Sequence, residues 1–276
     1  MRTALIVGGF TAVLAMAGCG EVARLSVAQG TGVRPFLPEP VKTLVPTVNI
    51  APAKGWPAGT TPQAAAGTRV VTFATGLDHP RWMLVLPNGD VLVAETNAPA
   101  KPQEVKTIKT WVMGLVKQRA GAGVPSANRI TLLRDSDGDG VADTRSILLS
   151  GLNSPFGMAL IGDRLFVANA DAVLSFPYRP GDTVITAPPT KLLDLPGGPI
   201  NHHWTKNLLA SADGGKLYVS VGSNSNVAEK GMTVEIGRAA IWEVEVKTGA
   251  HTSLPAACAT RWAWRGAMQA GRSGPW

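Results

Sequence analysis

The alternation of apolar and polar residues predicts that most of this chain folds as short antiparallel strands. From residue 70 onward, short apolar runs are separated by turn residues, which indicates hairpins with turns at residues 87–90, 162–164 and 213–215. The apolar spacing over residues 105–119 predicts one helix inserted between strands. Further strands are predicted at residues 70–74, 129–133, 172–176, 191–195 and 239–246.

An internal repeat organises these strands. The sequence GLDHPRWM at residues 76–83 recurs as GLNSPFGM at residues 151–158, each time ahead of a hairpin. Hairpins that follow a recurring opening are typical of radially repeated antiparallel sheets, so the predicted fold class is all-β, a β-propeller. A β-sandwich with coincidental turns is the alternative.

The start of the chain has the pattern of a secretion signal. Arg2 precedes an apolar run that is too short to span a bilayer, and LAMAGC at residues 14–19 resembles a bacterial lipobox. In that interpretation residues 1–18 are removed and Cys19 is lipidated, and the following Gly20 favours the outer membrane. Ordinary secretion with an incidental Cys is the alternative. Residues 19–68 are predicted to be a Pro/Ala-rich tether, which places the body of the protein on the periplasmic side.

The composition narrows the possible classes of protein. With 276 residues and 45% hydrophobic residues the chain can bury a core, which excludes wholesale disorder, and two Cys cannot form a disulfide framework. The net charge is +7, but Lys and Arg are scattered rather than clustered, so the charge does not predict nucleic-acid binding.

One segment carries candidate chemistry. The sequence INHHWTKNLLASADG at residues 200–214 resembles a segment of the pyrroloquinoline-quinone (PQQ)-dependent glucose/sorbosone dehydrogenases, in which four residues separate a His from a Leu and a Pro-Asp-Gly turn follows. His203 has this spacing, and Ala212 replaces the Pro. The resemblance covers about residues 69–252, is best for the L-sorbosone dehydrogenase branch, and implies a six-bladed propeller.

The resemblance also implies a mechanism. His203 would be the base that takes a proton from a sugar or sugar-aldehyde substrate while a hydride passes to PQQ, with a Ca²⁺ ion polarising the quinone and an Arg stabilising charge. Glu229, Glu235 and Arg238 look like the family's approach to the following strand, although surface pairing explains them as well. Taken alone, the pair of His202 and His203 would equally suit a packed loop or an adventitious metal pair.

A second motif predicts a separate cation site. The sequence DSDGDGVAD at residues 135–143 resembles the first nine positions of an EF-hand-type Ca²⁺ loop, with Asp135, Asp137, Asp139 and Asp143 as the candidate ligands. Ser146 occupies the twelfth position, where a bidentate Glu is expected. A solvated acidic turn between strands is an equal alternative.

The end of the chain departs from the pattern. Where a third repeat unit is expected, residues 255–276 contain three of the eight Trp and no acidic residue. If each codon of the gene is read one base earlier, the synonymous codons allow the sequence ASGLRNPVGMAW, which restores the repeat. We therefore hypothesise that the tail results from a frameshift. A divergent natural end is the alternative. Residues 69–254 are then a partial propeller of about three blades, and the chain is expected to be an inactive dehydrogenase fragment. A non-catalytic propeller lipoprotein that binds a carbohydrate or protein is the other possibility.

Overall fold

The computed structural model describes residues 25–38, 51–57, 59–99, 108–122, 124–226, 228 and 230–255. The predicted signal peptide, Cys19, much of the tether and residues 256–276 of the predicted tail lie outside the described residues. The chain divides into two compact units, one of residues 1–55 with 107–123 and one of residues 56–106 with 124–276.

The described part of the first unit contains two helices, α1 (Val27–Gly30) and α2 (Ile108–Arg119). A capping box closes the start of α1, because the Ser26 hydroxyl accepts a hydrogen bond from the Gln29 backbone N–H and the Gln29 side chain accepts one from Ser26. Helix α2 confirms the helix predicted within residues 105–119. No helix among the described residues is long and apolar enough to cross a bilayer.

The described residues of the second unit form twelve strands in three four-stranded antiparallel sheets, each with its strands in chain order. The first sheet comprises β1 (Pro80–Val85), β2 (Val91–Glu95), β3 (Arg129–Arg134) and β4 (Thr144–Leu149). The second comprises β5 (Met158–Ile161), β6 (Arg164–Ala168), β7 (Ala172–Pro177) and β8 (Thr190–Asp194). The third comprises β9 (Leu208–Ala210), β10 (Lys216–Val221), β11 (Ala240–Glu245) and β12 (His251–Pro255). The all-β prediction is confirmed.

The sheets pack face to face in chain order. Leu92 and Ile130 of the first sheet pack against Leu165 and Val167 of the second, whereas Phe166, on the opposite face of β6, packs against the third sheet. The second sheet is therefore buried on both faces, which explains why β6 is a continuous apolar run rather than an alternating one. Burial of these side chains is the main favourable contribution to folding of this unit.

The three sheets fan out from their first strands. The contacts between neighbouring sheets join β1 with β5 and β5 with β9. Sheets that meet at their first strands and spread toward their fourth have the arrangement of successive propeller blades. The described residues contain three such sheets and do not close them into a ring.

The sequence repeat is also a repeat of backbone conformation. Gly76 and Gly151, which open the two copies, have φ of +66° and +70°, in the left-handed region that favours glycine. The residues before the repeated Pro, His79 and Ser154, are left-handed as well, with φ of +53° and +47°. A positive φ at two corresponding non-glycine positions shows that both units enter their first strand by the same turn.

One strand prediction is wrong. Residues 70–74 form no strand, because no neighbouring strand offers them a ladder, and Phe73 accepts one backbone hydrogen bond, from Ala142. The segment instead lies over the outer face of the first sheet, where Phe73, Trp82 and Met83 line a cavity of about 680 Å³.

Candidate functional site

The segments that could carry chemistry gather at one edge of the sheets, which we call the rim. In each sheet the segment entering the first strand and the connection between the second and third strands lie at the same edge, as the register Pro80–Glu95–Arg129 shows for the first sheet. Hydrogen bonds join the rims of neighbouring sheets: Leu152 N–H donates to Asn128 O (3.0 Å) and Gly157 N–H donates to Lys206 O (2.9 Å). The loops of three sheets therefore form one continuous polar surface.

His203 lies at the rim, in the segment that enters β9. Its side chain is exposed, and its Nδ1 lies 3.0 Å from the Ser223 carbonyl oxygen and 2.9 Å from the Ser223 hydroxyl. With the proton on Nδ1, the ring donates to the carbonyl oxygen and Nε2 is the acceptor; without it, Nδ1 accepts from the hydroxyl. In both tautomers Ser223 holds Nδ1, and the first is the one in which Nε2 can accept a proton.

Gly222 makes the position of His203 possible. A Cβ at residue 222 would lie 2.5 Å from His203 Cβ and 2.8 Å from His203 O. Such distances are far inside van der Waals contact, so only glycine fits where β10 ends against the His203 backbone.

The connection between β10 and β11 is held by a carboxylate. Glu235 accepts hydrogen bonds from the Asn224 backbone N–H (2.7 Å) and from the Ser225 backbone N–H and hydroxyl (both 3.1 Å). The hydrogen bond from Asn224, followed by those from Ser225 and the attraction of Arg238, holds the pKa of Glu235 below its ordinary value against the opposing effect of burial. Glu235 therefore organises the loop as an anion; Glu229 lies outside the described residues.

Arg238 reaches from this connection across the rim. Its guanidinium donates to Asn201 Oδ1 at 2.9 Å and to the Gly197 carbonyl oxygen. Burial lowers the pKa of Arg238, partly offset by Glu235. These bonds tie the connection between β10 and β11 to the segment that carries His203, so the two loops form one site.

Lys206 is the most unusual residue of this site. Its side chain has 0% exposure, and its Nζ has no hydrogen-bond partner among the described residues. Burial, together with the charge of Arg238, lowers the pKa of Lys206 to about 8. The sequence motif contained this lysine, but only burial in the structure distinguishes it from an ordinary surface lysine.

Aromatic rings line the rim beside this site. The ring centroids of Trp82 and Phe156 are 5.4 Å apart, and Phe156 meets Trp204 edge-on at 6.2 Å. The Arg81 guanidinium lies 5.4 Å from the Trp204 ring centroid, within cation–π range. These aromatic contacts are not evident in the sequence, because the residues come from three separate segments.

A buried ion-pair network fixes the rim of the first sheet. Glu95, with 0% exposure, accepts hydrogen bonds from Arg129 Nη2 (2.8 Å), the Thr131 hydroxyl and the Asp78 backbone N–H. Burial alone would raise the pKa of Glu95, but these donors lower it. Since every named partner belongs to the segments around β1, β2 and β3, we assign the network a structural role.

The acidic loop lies at the opposite edge, between β3 and β4. Carboxylate oxygens of Asp135, Asp137 and Asp143 lie within 4.8 Å of one another, a spacing that could hold a metal ion. Asp139 is not part of this group, and its Oδ1 accepts a hydrogen bond from the Val141 backbone N–H at 2.7 Å. The structure thus brings together three of the four predicted ligands, and the cation site stays a prediction.

Fold and site together define an all-β protein of successive four-stranded sheets with a basic, histidine-bearing rim. A family model described as "Domain of unknown function (DUF7133)" matches residues 78–265. The chain belongs to this family. A search of the curated proteins found no match.

Several solved structures resemble the chain at low identity. They include the holo form of the pyranose dehydrogenase PQQ domain from Coprinopsis cinerea (19% identity, 67% of this chain, 38% of that chain, TM-score 0.49). A Trichoderma reesei Carbohydrate-Active Enzymes Family AA12 structure is also similar (17% identity, 74% and 43%, TM-score 0.48), as is the PQQ-bound aldose sugar dehydrogenase of Streptomyces coelicolor (16% identity, 64% and 47%, TM-score 0.39). This chain spans less than half the length of each, and similarity at this level transfers neither chemistry nor substrate to it.

Proposed function

We propose that this chain is part of a quinone-dependent dehydrogenase that oxidises a sugar or sugar aldehyde. The observation that carries the proposal is the geometry of His203, the residue that the sequence motif resembling the glucose/sorbosone dehydrogenases marks as the base. It stands exposed at the rim, with Nδ1 committed to Ser223 and Nε2 left to accept a proton.

Each residue of the site has a separate role in the proposed reaction. His203 Nε2 accepts the proton of a substrate hydroxyl, while the Ser223 carbonyl keeps the ring in the required tautomer and stabilises the imidazolium that forms. Gly222 sets the position of the His203 backbone. Trp82 and Phe156 offer apolar ring faces against which a sugar ring can stack. When bound, PQQ supplies the two-electron acceptor for the hydride.

The charges at this site suit the carboxylates of the quinone, whereas two of its oxygen ligands are not free for a calcium ion. PQQ carries carboxylates, and the buried, unpartnered Lys206 Nζ and the neighbouring Arg238 are cations of the kind that would hold one. The Ca²⁺ expected on the quinone needs free oxygen ligands. The carboxylate of Glu235 is taken by Asn224 and Ser225, and Asn201 Oδ1 by Arg238. We therefore do not assign Glu235 or Asn201 as a Ca²⁺ ligand.

Dye reduction tests the proposed activity. We expect the gene with its frame restored after about codon 250 to reduce dichlorophenolindophenol with glucose or L-sorbosone when PQQ and Ca²⁺ are added, and the 276-residue chain to do so far more slowly. In the restored protein, His203→Asn should lower the rate by at least about 100-fold while quinone binding, followed by tryptophan fluorescence, is retained. Sugar binding without dye reduction would instead favour a non-catalytic carbohydrate-binding lipoprotein.

The proposal extends to assembly and location. The three sheets would be blades of a six-bladed propeller whose remaining blades follow in the shifted reading frame, and sequencing the gene from codon 250 tests this directly. Cys19 would anchor the protein to the outer membrane on its periplasmic side. We expect radiolabelled palmitate to be incorporated into the wild-type chain but not into Cys19→Ser, and unchanged secretion without label would favour an ordinary signal peptide.

A further inference from the structure

A buried cation at the rim has no counter-charge among the residues that the structure describes. Lys206 is fully buried, and its Nζ neither donates a hydrogen bond nor forms an ion pair with any described residue. A buried ammonium normally has an acidic partner, because removing it from water is costly. A lysine that is buried without an acidic partner from the described residues therefore indicates an anionic ligand that binds to the chain.

The described charged residues that interact around Lys206 carry one positive charge in excess. Arg238 is close enough for its charge to affect Lys206, and Glu235 is the acid that interacts with Arg238. Since Glu235 is engaged with the backbone of Asn224 and Ser225, it does not reach Lys206 through any recorded hydrogen bond. Among the described residues, these electrostatic interactions link two cations and one anion, so one further negative charge would balance them.

The position of Lys206 follows from the alternation of buried and less buried residues ahead of β9. Trp204, Lys206 and Leu208 are buried and alternate with the less buried His203, Thr205 and Asn207. Leu208 belongs to the core between the second and third sheets, so Lys206 occupies the end of this interface nearest the rim. On adjoining segments of the second sheet, Ser154 Oγ and Asn169 Oδ1 are also buried without hydrogen-bond partners. Lys206 is therefore one of several rim residues with an unpaired buried polar atom.

We propose that Lys206 Nζ and the Arg238 guanidinium together bind a carboxylate group of a ligand at the rim. A carboxylate supplies the missing charge and accepts hydrogen bonds from an ammonium and from a guanidinium at once. Asn201 and the Gly197 carbonyl preorganise Arg238 for this role, because they fix its side chain before any ligand arrives.

Two sources could provide the carboxylate. The identity of the ligand rests on the proposed function, in which the quinone cofactor and the sugar acid formed by oxidising an aldehyde both carry carboxylates. The anion site itself rests only on the burial and charge of Lys206 and Arg238. Binding measurements with the two chemical classes separate these sources without requiring enzyme activity.

Isothermal titration of the full 276-residue chain tests the proposal with three probes: D-gluconate, benzene-1,2,4-tricarboxylate as a planar polycarboxylate, and D-glucose as the uncharged control. We expect at least one carboxylate to bind and Lys206→Met to weaken that binding at least tenfold, with D-glucose unaffected. Binding of gluconate alone assigns the site to the sugar acid, and binding of the tricarboxylate alone assigns it to the quinone. Lys191→Met is the matched control, because Lys191 is exposed and pairs only with Asp194 in the recorded ion pairs.

Several results would overturn the proposal. They are the absence of carboxylate binding by the wild-type chain at millimolar concentrations, equal binding by wild type and Lys206→Met, and equal weakening by the Lys191→Met control. If Lys206→Met fails to fold, Arg238→Gln serves as the second variant and must show the same selective loss. A chain that binds the carboxylate through Lys206 but never reduces dye after frame restoration would retain the anion site and refute the proposed dehydrogenase.

Discussion

Replacing Lys206 by methionine is predicted to stabilise the unliganded protein. The pKa of Lys206 is lowered from an ordinary 10.5 to about 8, first by burial and then by the charge of Arg238. Since each tenfold change in proton affinity is worth 1.36 kcal/mol, this corresponds to a penalty of about 3 kcal/mol for carrying the charged lysine in the folded state. Methionine has a similar length, no charge and no unsatisfied donor, so it should recover much of that energy.

The sign and pH range of this effect are fixed by the direction of the pKa change. Below pH 8 the lysine is protonated in both states, so the folded protein bears the whole penalty. Between about pH 8 and 10.5 the folded state loses its proton first, and the penalty disappears as the pH rises. The stability advantage of Lys206→Met over wild type should therefore be largest near pH 7 and small near pH 10.5.

Urea denaturation followed by circular dichroism measures this advantage. We expect Lys206→Met to be more stable than wild type at pH 7 by up to about 3 kcal/mol, and the exposed control Lys191→Met to change stability by less than about 1 kcal/mol. A less stable Lys206→Met at pH 7 would show that the lysine makes stabilising contacts and would refute the reasoning. A difference that stays constant from pH 7 to 10.5 would show that charge is not its cause.

Three further changes test other parts of the structure. Gly222→Ala should destabilise the chain by about 1–3 kcal/mol in the same assay, because its Cβ would meet the His203 backbone; unchanged stability would show that the two segments separate easily. Glu95→Gln should cost about 1–3 kcal/mol at pH 7 because Arg129 loses its buried partner and keeps only its exposed pair with Asp78, and the wild type should lose this contribution as the pH falls below 4.5 through the lowered pKa of Glu95. Calcium should raise the melting temperature of wild type but not of Asp143→Asn, with Mg²⁺ as the comparison, and an equal rise in both would remove the acidic loop as its site.

The hairpins were predictable because their signals are local. Turn residues and period-two alternation placed the turns at residues 87–90, 162–164 and 213–215, and each of them joins two observed strands. The strand predicted at residues 70–74 failed because strand formation needs a partner as well as propensity. Strand β4 was missed because its first half is polar, and it becomes a strand by pairing with β3.

The site was only partly predictable because its geometry depends on segments far apart in sequence. The spacing around His203 identified the residue, but its orientation depends on Ser223, twenty positions later in the chain. The acidic loop gives a second example. Its spacing predicted four ligands, whereas the folded backbone brings three carboxylates together, and the Asp139 side chain instead accepts a hydrogen bond from the backbone of the loop. The sequence shows which residue types are present, but it does not show which side chains are buried or which distant residues they contact.

An alternation of burial explains how the rim combines a reactive base with a buried cation. Between residues 203 and 208 the buried Trp204, Lys206 and Leu208 alternate with less buried residues, and His203 is exposed. Leu208 strengthens the interface between the second and third sheets, whereas Lys206 weakens it in the absence of an anion. A charge that lowers stability where the core meets the rim is difficult to explain as a packing device. It is expected at a binding site, where the ligand supplies the charge that the folded chain lacks.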